Sequence, residues 1–131
     1  MIVLDASVVI HLLLNTPLGL RAGERIAAPD VSLHAPQLLD LEVLQVLRRY
    51  VLSGQMTAKR ADEAVKDFVD FDIARHDHQV LVGRIWELRN NLTAYDAAYI
   101  ALAEGLGAPL ITSDSALQAA PGHAAAVELI A

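Results

Sequence analysis

The chain has 131 residues, enough for one compact unit with a sizeable buried core. Its 16 acidic side chains against 10 basic ones give a formal charge of -6, which argues against a polyanion-binding surface spread over the whole protein, while a hydrophobic fraction of 54% implies either a generous core or apolar surface for a partner to cover. The lack of cysteine excludes disulfides and thiolate metal ligation, no uncharged run is long enough to span a bilayer, and the first apolar run is broken at Asp5, so a cytoplasmic protein with no leader or membrane anchor is expected.

Ile2 to Leu4 is a short, fully apolar run of the kind expected for a buried parallel strand at the centre of a sheet. Ala6 to Leu14 reads as a helix stopped by Asn15-Thr16-Pro17, and Leu20 to Ala28 as a second short helix ended by Pro29. Val31 to Ala35 alternates enough to be the second strand. Pro36 suits the first turn of a helix reaching about Leu52, apolar at Leu38, Leu39, Leu41, Leu44, Leu47 and Val51 and terminated by Gly54.

Thr57 caps an amphipathic surface helix, with Ala61, Ala64, Val65, Phe68 and Val69 at helical spacing beside a charged face. Phe71 to Ala74 reads as a brief strand and Arg75-His76-Asp77-His78 as a polar connection. A helix from Gln79 to about Arg89 follows, with Val80, Leu81, Ile85 and Leu88 inward. Thr93 caps a helix from Ala94 to Leu106, Gly107 ends it, and Pro109 to Thr112 is a further buried strand. Asp114 to Ala119 is a last short helix, Pro121-Gly122 a turn, and Ala125 to Ile130 an edge strand. Strands alternating with helices predict a single α/β domain over residues 1–131, with a mostly parallel sheet covered on both faces by right-handed crossovers.

Asp5, Glu42, Asp96 and Asp114 lie far apart in the chain, yet each falls where a strand ends or a helix begins, and ligands of open α/β sheets bind at the carboxyl ends of the strands. Taken singly, each has a structural explanation. Asp5 and Asp114 fit helix N-caps, and Asp96 follows Thr93 at capping-box spacing. Glu42 is the most telling, because its helical neighbours are apolar and carboxylates are rarely buried without a partner. Asp40 points elsewhere on the same helix and is expected in solvent. Jointly, four carboxylates at one sheet edge would repel one another unless a cation were present. Mg2+ or Mn2+ suits an all-oxygen ligand set, and such an ion serves in-line attack on a phosphodiester, which points to hydrolysis of a nucleic acid. The ion would also invert the local field, and Arg48-Arg49, Arg75, Arg84 and Arg89 are the candidate basic groups for a phosphate, with solvated helix faces the simpler expectation for most of them.

The segments Ile2-Val3-Leu4-Asp5-Ala6-Ser7, the helical Glu42, Leu92-Thr93-Ala94-Tyr95-Asp96-Ala97-Ala98-Tyr99 and Leu110-Ile111-Thr112-Ser113-Asp114 resemble PIN-domain ribonucleases, and more closely VapC-type toxins. The resemblance spans essentially the whole chain. It implies a three-layer α/β/α PIN-like domain that binds Mg2+ or Mn2+ and cleaves RNA endonucleolytically. It also implies inhibition by a cognate VapB-type antitoxin, whose C-terminal segment wraps the toxin, and pairing of toxin protomers into a homodimer. On this resemblance Asp5 and Asp96 match the principal metal-ligating aspartates, Glu42 the helical glutamate, and Asp114 the fourth and least uniform acidic position. Ser7 and Thr112 match the polar supports, where a hydroxyl can orient a carboxylate or a metal-bound water.

The histidines carry no motif for metal-free catalysis. His76 and His78 fall in a polar connection, His11 on an apolar helix face, His34 in a strand and His123 after a turn. Tyr95 or Tyr99 could stack on an RNA base, with core packing the simpler expectation for Tyr99. Trp86 fits either the core or an interface. A receiver domain would need a lysine after a late strand, and an aspartyl-nucleophile phosphatase would need Asp-x-Asp after its first strand. Neither is present, which leaves a catalytically silent PIN-like scaffold for RNA or protein as the rival reading.

Overall fold

A computed structural model describes residues 1–131 as a five-stranded sheet of order β3-β2-β1-β4-β5. The strands are β1 (Ile2–Leu4), β2 (Leu33–Pro36), β3 (Ala74–His76), β4 (Leu110–Thr112) and β5 (Val127–Leu129), and every pairing is parallel. The helices are α1 (Ala6–Leu14), α2 (Pro17–Ile26), α3 (Leu38–Leu52), α4 (Ala58–Asp70), α5 (Val82–Glu87), α6 (Ala94–Leu106) and α7 (Ser115–Ala119). Helix α1 packs on α2, α3 and α4, whereas α6 packs on α5 and against β1, β2 and β4, giving the three layers of an α/β/α fold.

β1 is central because all three of its residues are buried apolar side chains, with β2 on one side and β4 on the other. The chain builds β2 and β3 outward in one direction, then returns through α6 to start β4 and β5 in the other. That reversal next to β1 is the switch point at which an open parallel sheet leaves a crevice beyond its strand ends. Connecting helices run back against the strand direction, so the N-termini of α1, α3, α6 and α7 gather at the carboxyl edge of the sheet.

Several boundaries differ from the sequence reading, each for a local reason. The second strand is Leu33–Pro36 rather than Val31 to Ala35. Pro36 ends it opposite His76, where the strand can tolerate the lost N–H, and α3 begins two residues later than expected. Helix α1 stops at Leu14 as expected, with Asn15 as its αL cap, but α2 is Pro17–Ile26 rather than Leu20 to Ala28, because Thr16 Oγ1 accepts from the Gly19 amide as an N-cap and Pro17 takes the first helical position. Gly19 is obligatory there, since a side chain would collide with the His11 carbonyl of α1.

The third strand lies at Ala74–His76 rather than Phe71 to Ala74, so Arg75 and His76 form a polar edge strand rather than a connection. The helix expected over Gln79 to Arg89 is a 3-10 turn at Gln79–Leu81 followed by the short α5, and Val80, expected inward, is 90% exposed. The expectation of an edge strand over Ala125 to Ile130 narrows to Val127–Leu129, and the last helix starts at Ser115 with Asp114 as its cap. Helix α6, its Thr93 cap and its αL terminator Gly107 fall where the sequence puts them.

Candidate active site

A groove of about 790 Å³ opens at the carboxyl edge of the sheet, and Asp5, Glu42, Asp96 and Asp114 all line it. One wall is α1 and the other a single stripe of α3. The N-terminal turn of α6 and the start of α7 close the acidic end.

Asp5 leaves β1 only 8% exposed. Its backbone occupies the N-cap position of α1, but its side chain makes no capping bond, so the capping explanation fails for this residue. Instead Ser7 Oγ donates to Asp5 Oδ2 at 2.9 Å and Thr112 Oγ1 donates to the same oxygen at 2.7 Å. The two hydroxyls are themselves held by the β4 exit, with Ser7 Oγ accepting from the Ser113 amide and Thr112 Oγ1 from the Asp114 amide. Both donors favour the carboxylate, yet burial outweighs them and pushes the Asp5 carboxyl above its usual range, with the charge of Asp114 acting in the same direction.

Glu42 is half-buried, and its Oε1 accepts from Tyr99 Oη at 2.6 Å. Burial raises its pKa, the Tyr99 bond opposes that shift, and the charges of Asp5 and Asp96 add to it. Asp96 is raised by burial, then by Asp5 and Asp114, against a hydrogen bond with Thr93. Thr93 Oγ1 accepts from the Asp96 amide and so caps α6 through the backbone of the same residue. Asp114 differs from the others, being exposed and a true N-cap, with Oδ1 accepting from the amides of Ala116 and Leu117. Its structural explanation therefore holds, and its position in the groove stands beside it.

None of the four takes part in an ion pair. Asp5, Glu42 and Asp96 are raised first by burial and then by acidic neighbours, Asp114 acting on Asp5, Asp5 and Asp96 on Glu42, and Asp5 and Asp114 on Asp96, with no cationic group among the causes. In these rotamers no three acidic or imidazole side chains close directly round an ion. The donor set is carboxylate and hydroxyl oxygen, and His11, the only imidazole on the groove wall, is engaged through Nδ1 with Thr16 Oγ1 at 2.7 Å. Such a set fits Mg2+ or Mn2+ bound with part of its water shell, because Mg2+ takes one or two carboxylates directly and reaches others through water.

The remaining candidates separate clearly. Tyr99 is fully buried as expected, but sequence reasoning missed that its hydroxyl holds Glu42, since its spacing identifies only a core position. Tyr95 is 66% exposed at the groove rim beside Asp96, and Trp86 is 67% exposed under the Arg89 guanidinium. Arg75 pairs with Asp40, expected in solvent, at 2.8 Å and lies over the Phe68 ring, while Arg84 pairs with Glu104 and Glu87. His34 and His76, read as having no companion, are hydrogen-bonded to each other at 2.8 Å across β2 and β3, outside the groove.

The PIN domain family model matches residues 2–123. The chain is 39% identical to Ribonuclease VapC12 of Mycobacterium tuberculosis over the full length of both proteins. It is 37% identical to Ribonuclease VapC1 of the same organism over 98% of this chain and 96% of that one. Among solved structures, PAE2754 from Pyrobaculum aerophilum aligns at a TM-score of 0.66 and 25% identity, over 90% of this chain and 84% of that chain. VapBC2 from Rickettsia felis, solved bound to a DNA fragment from their promoter, aligns at a TM-score of 0.71 over 98% of each chain, and at 14% identity this likeness is one of fold. Full-length similarity to these ribonucleases, on a fold that carries the acidic groove, makes the chain a member of the PIN domain family, in its VapC branch.

Proposed function

We propose that the chain acts in the cytoplasm as one PIN domain, a Mg2+- or Mn2+-dependent endoribonuclease that is the toxin of a toxin–antitoxin pair. The observation that carries the reading is the groove end itself, where carboxylates from four separate elements line one pocket and form no ion pair, and where burial and then neighbouring acidic charge hold Asp5, Glu42 and Asp96 above the usual carboxyl range. Asp5 and Asp96 would hold the ion, with Glu42 and Asp114 taking its waters or a second ion. When bound, the ion would offset the phosphate charge and lower the pKa of an attacking water.

The chain's own groups supply positioning. Ser7 and Thr112 aim the Asp5 carboxylate, and Tyr99 keeps Glu42 turned toward the same space. Tyr95 offers an exposed aromatic face at the rim on which a base of an unpaired strand can stack. A VapB-type antitoxin would cover the groove, whose walls carry Ile10, Leu14, Leu41 and Val46, with an amphipathic segment. Further exposed apolar side chains such as Val80, Val82 and Trp86 are available to a homodimer contact.

The test uses the purified, antitoxin-free protein. It should cut RNA with Mg2+ or Mn2+ and lose that activity with EDTA or with Asp5→Asn. A folded protein that cuts no RNA under these conditions would favour the silent scaffold.

A further inference from the structure

We propose that Arg49 forms a second phosphate subsite, holding a backbone phosphate of a single-stranded RNA at the end of the groove opposite the carboxylates. The inference rests on the ribonuclease reading and names how that site takes hold of its substrate. Glu42, Gln45 and Arg49 lie on one stripe of α3 facing the groove. Two helical turns separate Glu42 from Arg49, about 10 Å along the axis at 1.5 Å per residue.

Arg49 is the only lysine or arginine lining this groove. It is exposed and belongs to no ion pair, whereas Arg25, Arg60, Arg75 and Arg84 are each tied to a carboxylate and Arg89 stacks on Trp86. A polyanion approaching a cluster of carboxylates needs a foothold where their field has decayed, and 10 Å is about one screening length at physiological salt. A guanidinium suits that foothold because its fork matches phosphate oxygens, and its placement in line with the acidic end fits a strand laid along the groove.

Arg48 supplies the control. It is the neighbouring arginine on the same helix, but it lines the groove between α3 and α4 instead. Binding of a labelled single-stranded RNA is measured across a salt series in the Asp5→Asn background, so that the strand stays intact. The slope of log affinity against log salt should fall by about 0.7 with Arg49→Ala, the value for one lost single-strand phosphate contact, with affinity several-fold weaker. Arg49→Lys should keep the slope, and Arg48→Ala, which removes the same charge, should leave it unchanged. Thermal unfolding checks that each variant is folded.

Equal effects at Arg48 and Arg49, an unchanged slope for Arg49→Ala, or no RNA binding at all would overturn the subsite. The same holds if Arg49→Ala weakens capture of the antitoxin while RNA binding is untouched. RNA binding that depends on Arg49 in a chain that never cuts would instead defeat the nuclease reading and leave the subsite standing.

Discussion

Tyr99 donates its hydroxyl hydrogen to Glu42 Oε1 at 2.6 Å, joining the buried face of α6 to the groove stripe of α3. Tyr99 lies three residues after Asp96, so one turn of α6 provides a carboxylate to the site and a clamp on the carboxylate opposite. Tyr99→Phe keeps the ring and makes no cavity, but it removes a donor from a half-buried acid. Stability to urea should fall by about 1 kcal/mol. RNA cleavage should drop roughly 10- to 100-fold, the usual cost of losing an outer support of a metal ligand. A Phe variant matching the wild type in both measurements would show that Glu42 holds its orientation without the bond.

The hydroxyls on Asp5 predict a coupled pair. Ser7 and Thr112 donate to one oxygen and each also accepts an amide from the β4 exit, so Ser7→Ala or Thr112→Val leaves an amide without its acceptor as well as weakening Asp5. Each should cost about 1–3 kcal/mol, with Thr112 toward the upper end because it is fully buried. Cleavage should weaken roughly 10- to 100-fold without vanishing, and Asp5→Asn should cost more than either. Because the two hydroxyls share an acceptor, the double variant's loss should depart from the sum of the singles in a double-mutant cycle.

Asp114 has two separable roles. Its Oδ1 caps α7, and Asn caps a helix about as well as Asp, so Asp114→Asn should unfold with the wild type while Asp114→Ala loses about 1 kcal/mol. A lowered cleavage rate in Asp114→Asn then measures what the negative charge contributes at the site. Equal rates for Asp114→Asn and the wild type would reduce this residue to a cap.

Much of the fold was legible because its strong signals are local. The apolar run at Ile2–Leu4, the Thr93 cap and the Gly107 stop each act within one element, and each falls where expected. The acidic positions were legible by another route, since strands alternating with helices imply a parallel sheet whose strand ends and helix starts share one edge. What the sequence hid depends on long-range partners. Arg75 and His76 read as a polar connection because an edge strand needs little apolar surface, and only pairing with β2 makes them a strand. Thr16 capping α2, Tyr99 holding Glu42 and His34 meeting His76 likewise depend on which side chains meet in three dimensions.

The raised carboxyls set a sign for the coupling between pH and metal. Asp5, Glu42 and Asp96 have folded-state pKa values above their ordinary ones, so the folded chain binds more protons than the unfolded chain between the two values. Their stabilising contribution is complete below the ordinary carboxyl range near pH 4 and is lost as pH rises through the folded values. At neutral pH the metal-free site is therefore under electrostatic strain, and a divalent cation that pairs with these groups relieves it. Mn2+ should raise the melting temperature of the EDTA-treated protein most near neutral pH and progressively less as the pH falls toward the ordinary carboxyl range, where protons compete for the same oxygens. Asp5→Asn should raise the metal-free melting temperature at neutral pH and shrink the Mn2+ increment, since the amide can still accept from Ser7 and Thr112 without adding to the repulsion. A Mn2+ increment that grows as the pH falls would contradict a carboxylate site.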